Sequence, residues 1–150
     1  MLVFGAGVAA WVAARILVLR TPDALGPHAA IGVERGGVLI AGAVFHNYRR
    51  HDIEVSFASD DPRWARRATI RAILRYPFVQ LGCTRLTALI ARDNARAARL
   101  LQGLGFKREG VLRRAYDGTA DALVYGMLRE ECHWLEDIHG KEHTKRTAAA

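Results

Sequence analysis

Arginine supplies most of the chemistry-bearing side chains of this sequence. Arg63, Arg67, Arg71 and Arg75 recur every fourth residue, the spacing that lines side chains up along one face of a helix. Guanidinium groups in such a row suit phosphate oxygens, so the stripe is what a basic nucleic-acid-binding protein would use. The net charge of +7, from 22 Lys and Arg against 15 Asp and Glu, favours an anionic partner: nucleic acid, an acidic surface or a phosphorylated cofactor. No base-reading motif or cluster of stacking aromatics accompanies the stripe, and Trp64 alone does not make one.

No metal site is expected. Cys83 and Cys132 are the only cysteines, and without a Cys-x-x-Cys pair neither a zinc site nor a disulfide framework is implied. His139 and His143 have a metal-ligand spacing, but they stand in residues 139–150, which read as a disordered tail after a domain at 1–138. Two cysteines and no secretory signal point to a reducing cytoplasm. Residues 2–14 carry no charge, a run shorter than the ~20 apolar residues of a bilayer span. Ala9, Ala10, Val12, Ala13 and Ile16 suit a mostly buried first helix better than a membrane anchor.

With 150 residues, 51% hydrophobic and 25% charged, the chain has the size of one domain with a real core. Segments 30–35 and 38–45 flank Gly36-Gly37, a hairpin signal because tight hairpin turns need positive φ. Residues 53–59 alternate Ile53, Val55 and Phe57 against Glu54, Ser56 and Ala58, which predicts a third strand. Asp60-Asp61-Pro62 opens a predicted helix to about Tyr76, with aspartate as cap and proline in the first turn. A short strand follows at 86–91. Then comes a helix at 95–104 burying Ala97, Leu100, Leu101 and Leu104 and ended by Gly105. Segments 111–114 and 122–128 around Asp117-Gly118 predict a second hairpin, and 130–137 a last helical turn. The fold class is α/β: a single domain with a central mixed sheet flanked by helices, antiparallel in its hairpins and parallel across the 60–76 crossover.

Residues 86–91, Arg92-Asp93-Asn94, Ala97, Leu101, Leu104-Gly105-Phe106 and Glu109-Gly110 follow in an order that resembles the last third of GNAT N-acetyltransferases. The ribosomal-protein-alanine acetyltransferase branch is the most similar. Asp121, Tyr125, Met127-Leu128 and Glu130-Glu131 resemble its closing strand. The segment Trp11-Val12-Ala13-Ala14-Arg15-Ile16, together with His46-Asn47-Tyr48 and Tyr76-Pro77-Phe78, resembles small phage- or prophage-encoded members. The likeness is strong over about residues 53–131 and weaker over the first third. It implies a splayed sheet and transfer of an acetyl group from acetyl-CoA to a small-molecule or peptide amine by direct attack, with CoA released. Aminoacyl-tRNA is the one nucleic acid among such acceptors; a membrane has no part, and a homodimer is compatible.

The resemblance also implies roles for residues. The pantetheine arm pairs with the splayed strand at Val55, Phe57, Ala58 and Ser59. The pyrophosphate rests at the start of the next helix, by Arg63, Arg66, Arg67 and Ala68, where free N–H groups and the helix dipole favour an anion. Asn94 and Ala97 touch the cofactor arm, Glu54 is the general base, backbone N–H groups near 55–57 meet the oxyanion, and His46 and Tyr48 bind the acceptor. For the same residues the sequence also allows plainer roles: a solvated arginine face, a helix-capping Asn94, and Glu54 as a salt-bridge partner of Arg49 or Arg50.

Two departures stand out. Residues 63–68 hold no glycine, where the family usually has Arg/Gln-x-x-Gly-x-Gly/Ala, and Leu101 stands at the position of a tyrosine that serves as proton donor. Tyr116, Tyr125 or solvent remain as donors. These departures keep open a catalytically degenerate GNAT fold that acts as an interaction module.

Overall fold

Local turn chemistry places most of the strands. The computed structural model describes residues 1–16 and 22–136. Gly36 and Gly37, at φ 60° and 78°, make the tight link between β2 (His28–Arg35) and β3 (Val38–His46). Antiparallel pairing continues from β3 to β4 (Asp52–Ser59), with His46 opposite Glu54 and Val44 opposite Ser56. Helix α2 (Arg67–Arg75) then crosses to β5 (Arg85–Ala91), which lies parallel to β4. Helix α3 (Ala95–Leu104) leads into the hairpin of β6 (Lys107–Leu112) and β7 (Ala122–Leu128). β7 inserts between β5 and β6, so the seven strands run β1-β2-β3-β4-β5-β7-β6.

The start of the chain differs from expectation. The apolar run is not one helix. Leu2–Phe4 forms β1, paired antiparallel with β2, and Gly5 at φ 105° turns the chain into α1 (Ala6–Arg15). Val8, Ala9, Val12 and Ala13 are buried, whereas Ala10 faces out. A three-residue strand has too little pattern to be separated from an adjoining apolar helix by periodicity.

The sheet carries a hydrophobic cluster on each face. Val8, Ala9 and Val12 of α1 pack with Ala30 and Val44. On the other face, Ile70, Ile73 and Leu74 of α2 and Leu101 of α3 pack with Phe45, Ile53 and Leu86. Gly42 of β3 lets α1 approach closely, since a Cβ there would lie 2.6 Å from Val12 Cγ2.

The helix expected from Asp60 is broken. Asp61 caps a single 3-10 turn, Pro62–Trp64, and Arg66 is extended at φ −91°, ψ 146°, so α2 starts only at Arg67. A π-helical turn, Tyr76–Gln80, continues it past Pro77. The arginine stripe breaks with it: Arg63 lies outside α2, and Arg71 and Arg75 are half-buried. At the end of the described chain, two 3-10 turns, Arg129–Glu131 and His133–Leu135, stand where a helical turn was expected. Residues 137–150, with His139, His143 and the expected tail, lie outside the described residues. Among the described residues no helix is long and apolar enough to cross a membrane.

Candidate functional site

The parallel ladder between β4 and β5 is short. Asp52, Ile53 and Glu54 pair with Arg85, Leu86 and Thr87, and there the pairing stops. Beyond it β3 still holds β4 as far as Ser59, and β7 holds β5 as far as Ala91. The two strands therefore part while each stays anchored on its outer side. Over residues 55–59 the edge of β4 that faces β5 has no ladder partner, which leaves backbone groups open to a ligand.

Polar residues bolt the closed end of this V. Thr87 Oγ1 donates to the buried Asp52 (2.8 Å), and Arg85 Nε donates to Thr87 Oγ1 (2.9 Å). Arg85 also forms a two-pronged pair with Glu109 at 2.5 and 3.1 Å. Glu109 stands at the β6 bulge, and the pair lies directly over Gly126, where a Cβ would collide with both side chains. Closed at one end and open at the other, the V is a wedge whose apex holds Glu54.

A cavity of about 220 Å³ occupies the apex, bordered by His46, Glu54, Ser56, Ala88, Leu101 and Tyr116 among others. His46 Nε2 is 2.8 Å from Ser56 Oγ, and His46 Nδ1 is 3.8 Å from Glu54 Oε2, beyond hydrogen-bond length. Burial holds the Glu54 carboxyl above its ordinary range, and the side chain of Asn47, which hydrogen-bonds to it, only partly offsets this. Burial, assisted by His28, lowers the pKa of His46. His46 is thus mainly the neutral imidazole near pH 7, so its approach to Glu54 is not a charged pair. Arg49 pairs instead with Asp52, at 3.1 Å.

The mouth of the V opens into a larger groove of about 910 Å³, lined by Phe57, Ala58, Ser59, Trp64, Asn94 and Tyr116 among others. Asn94 caps α3: its Oδ1 accepts from Ala97 N at 3.0 Å. Ala97 and Leu100 remain half-buried because they face this groove. Gly105, at φ 108°, ends α3 as its type predicts.

Not every expected residue reaches the groove. Tyr48 is 52% exposed and borders neither cavity. Arg63 is held by Asp61, whose carboxyl is pushed down to about 2, mainly by the Arg63 side chain. Arg66 and Ala68 are exposed, and the Arg67 guanidinium sits 5.8 Å from the Trp134 ring. None of the four lines the groove wall, whose nearest members on this turn are Pro62, Trp64 and Ala65. Arg15 does line it, clamped to Asp60 at 2.8 and 2.9 Å and stacked 3.5 Å over Trp11. Arg15 was missed because α1 and the end of β4 are brought together only by folding. Arg96, on the first turn of α3, was likewise missed.

The absent glycines have a conformational explanation. No residue from 60 to 68 has positive φ, so nothing in this turn demands glycine. The Arg66 N–H is spent on Trp64 O (2.8 Å), and α2 has no side-chain cap. Its first-turn N–H groups therefore point outward without an intrahelical acceptor.

A mixed, splayed seven-stranded sheet with helices on both faces is the fold of the GNAT acetyltransferases, and this chain has it. Among solved structures, a GNAT-family acetyltransferase from Bacillus anthracis superposes with a TM-score of 0.62 at 18% identity, over 87% of this chain and 96% of that one. A variant of the spermidine N-acetyltransferase SpeG from Vibrio cholerae gives a TM-score of 0.68 at 18% identity, over 90% of this chain and 97% of that one. In sequence, the chain is 38% identical over 63 residues to the uncharacterized N-acetyltransferase YoaA of Bacillus subtilis (strain 168). That stretch is 40% of this chain and spans about a third, 36%, of the relative. No protein-family model matches.

Proposed function

We propose that the protein is an N-acyltransferase that moves an acetyl group from acetyl-CoA to an amine, with Glu54 as general base. One observation carries the reading: the parting of β4 from β5 immediately after Glu54, which sets a carboxylate of raised pKa at the apex of an open-edged groove. Bound there, acetyl-CoA would supply an activated acyl carbon.

The residues present fit that donor. The free β4 edge at 55–59 takes the pantetheine amides. Asn94 and Ala97 border the same groove, and the outward N–H groups at the start of α2, two residues along the chain from the groove wall at Ala65, would meet a pyrophosphate that reaches past that wall. Arg66, Arg67 and Ala68 flank those N–H groups, whereas Arg63 serves mainly to lock the preceding turn through Asp61. On the acceptor side, Glu54 Oε takes a proton from the ammonium or attacking amine, and a carboxyl with raised pKa is better matched to that task near neutral pH. Neutral His46, oriented by Ser56, contributes a polar wall for the acceptor. A backbone N–H on the open edge of β4 near Val55 would stabilise negative charge on the carbonyl oxygen.

The acceptor class is a small-molecule or peptide amine, including the N-terminal amine that the ribosomal-protein-alanine branch would acetylate, and the setting is cytoplasmic. The broken arginine stripe removes the main support for general nucleic-acid binding. Isothermal titration with acetyl-CoA tests the reading directly. Saturable binding is expected at micromolar to millimolar cofactor, and no heat of binding at millimolar acetyl-CoA would sink it. Binding without turnover on any amine of a broad panel would instead favour the catalytically degenerate form.

A further inference from the structure

Leu101 faces the apex cavity from α3 and has no proton to give. Thiolate departure nevertheless needs one, and the chain has four tyrosines. Tyr125 is 1% exposed in the core, Tyr76 packs its ring on Phe45 at 5.0 Å, and Tyr48 points outward. Tyr116 is the exception. It borders both the apex cavity, which Glu54 also lines, and the larger groove, and it shares both linings with Asn94, Ala97 and Leu100.

The connection that carries Tyr116 is tightly built. Asp121 accepts from Arg114 N (2.9 Å) and from Arg92 Nη1 (3.0 Å), and its carbonyl accepts from Arg92 N (3.0 Å). The turn is thereby stapled to the end of β5. Asp117 Oδ1 accepts from Thr119 N and Ala120 N at 2.8 and 2.6 Å, and Tyr116 N donates to Ala120 O at 3.2 Å. Arg114 and Gly118 take positive φ, 56° and 86°, to complete the turn. A loop so fully bonded, and tied to the end of β5, holds its aromatic residue in place.

We propose that Tyr116, delivered by the β6–β7 turn, is the proton donor to the departing thiolate, replacing a donor that α3 lacks. This rests on the acyltransfer reading above. As the carbon–sulfur bond breaks, its electron pair stays on sulfur, the Tyr116 Oη–H bond breaks, and that proton joins sulfur to give the CoA thiol. The phenolate then regains a proton from solvent, while the proton lost by the amine leaves through Glu54. Burial and then Asp117 and Asp93 push the phenol above its ordinary pKa, so it stays protonated at working pH. The other charged or titratable groups facing this space are Arg15 with its partner Asp60, Arg96, and, in the apex cavity, Glu54 and His46.

The test pairs an equilibrium readout with a kinetic one. A phenol aimed at sulfur makes wild type bind CoA more tightly than desulfo-CoA by about two- to tenfold, the worth of one hydrogen bond. Tyr116→Phe should bring that ratio to one while leaving the melting temperature unchanged. In turnover, Tyr116→Phe should lose on the order of 100-fold in kcat with acetyl-CoA. It should lose little with p-nitrophenyl acetate, whose leaving group needs no proton, and Leu101→Tyr in the same background should restore most of the loss. If wild type binds CoA but Tyr116→Phe leaves both the ratio and kcat unchanged, Tyr116 is not the donor and the acyltransfer reading survives. If wild type binds neither CoA nor desulfo-CoA, the acyltransfer reading falls and this assignment with it.

Discussion

Gly42→Ala should destabilise the protein by an amount that the packing of α1 on β3 determines. An added Cβ would sit 2.6 Å from Val12 Cγ2 and 3.2 Å from Val8 Cγ1. Comfortable carbon–carbon separations are about 3.5–4.0 Å, so the overlap with Val12 is about 1 Å. Val12 is fully buried, and a helical valine has one strongly preferred rotamer. The side chain has nowhere to turn, and α1 must lift. Overpacking of this kind costs about 1–3 kcal/mol, and the stiffer unfolded chain returns about 0.4–1 kcal/mol. The net loss is then about 1–2 kcal/mol. Urea unfolding should show a lower midpoint with an unchanged slope. Val12→Ala, although destabilising alone, should rescue part of the loss, with a coupling on the order of 1 kcal/mol in the double variant. A Gly42→Ala protein as stable as wild type, or strict additivity with Val12→Ala, would refute the close-approach account.

Glu54→Gln should lower amine acetylation by about 10²- to 10⁴-fold and abolish the acid limb of the pH–rate profile, on which wild type loses activity as pH falls through the raised Glu54 pKa. A retained acid limb would point to another group. The same raised pKa has a stability signature. The folded form holds this proton more tightly than the unfolded chain, so the stability it contributes is present below the unfolded pKa and is lost as pH rises through the folded one. Melting curves across that window should therefore show Glu54→Gln falling less with rising pH than wild type; parallel curves would count against burial as the cause. Asn94→Ala, which removes the cap on Ala97 N, should cost about 1 kcal/mol while Asn94→Asp keeps most of it, and thermal melts of the two would separate capping from loss of the amide.

Much of the fold was legible because its signals are local. Gly36-Gly37 at positive φ, Asn94 on Ala97 N, Gly105 at the end of α3 and the alternation of 53–59 each act within a few residues, so the sequence alone determined those elements and their order. His46, Glu54 and Asn94, which border the apex, were singled out through resemblance to a known family, whereas Ser56 beside His46 was not. Local rules failed where competing local forces were balanced. Asp61 and Pro62 do start a helical turn, but Arg66 leaves it for an extended conformation and α2 restarts at Arg67.

What only the tertiary structure decided is which residues meet. The parting of β4 from β5 depends on β3 and β7 holding each strand from outside. No stretch of one strand encodes that. Arg15 reaches Asp60 across 45 residues, and Arg85 reaches Glu109 across 24 to sit over Gly126 on a third strand. Between Tyr116 and Tyr125 the sequence offered no choice; Tyr125 enters the core from β7, which pairs with strands on both sides, and Tyr116 borders the apex on a turn that Asp121 ties to Arg92. Backbone propensity and capping act over one or two turns of chain, whereas a cavity is made by side chains from several elements at once. The elements were therefore readable one by one, and the constellation around Glu54 only after they had packed.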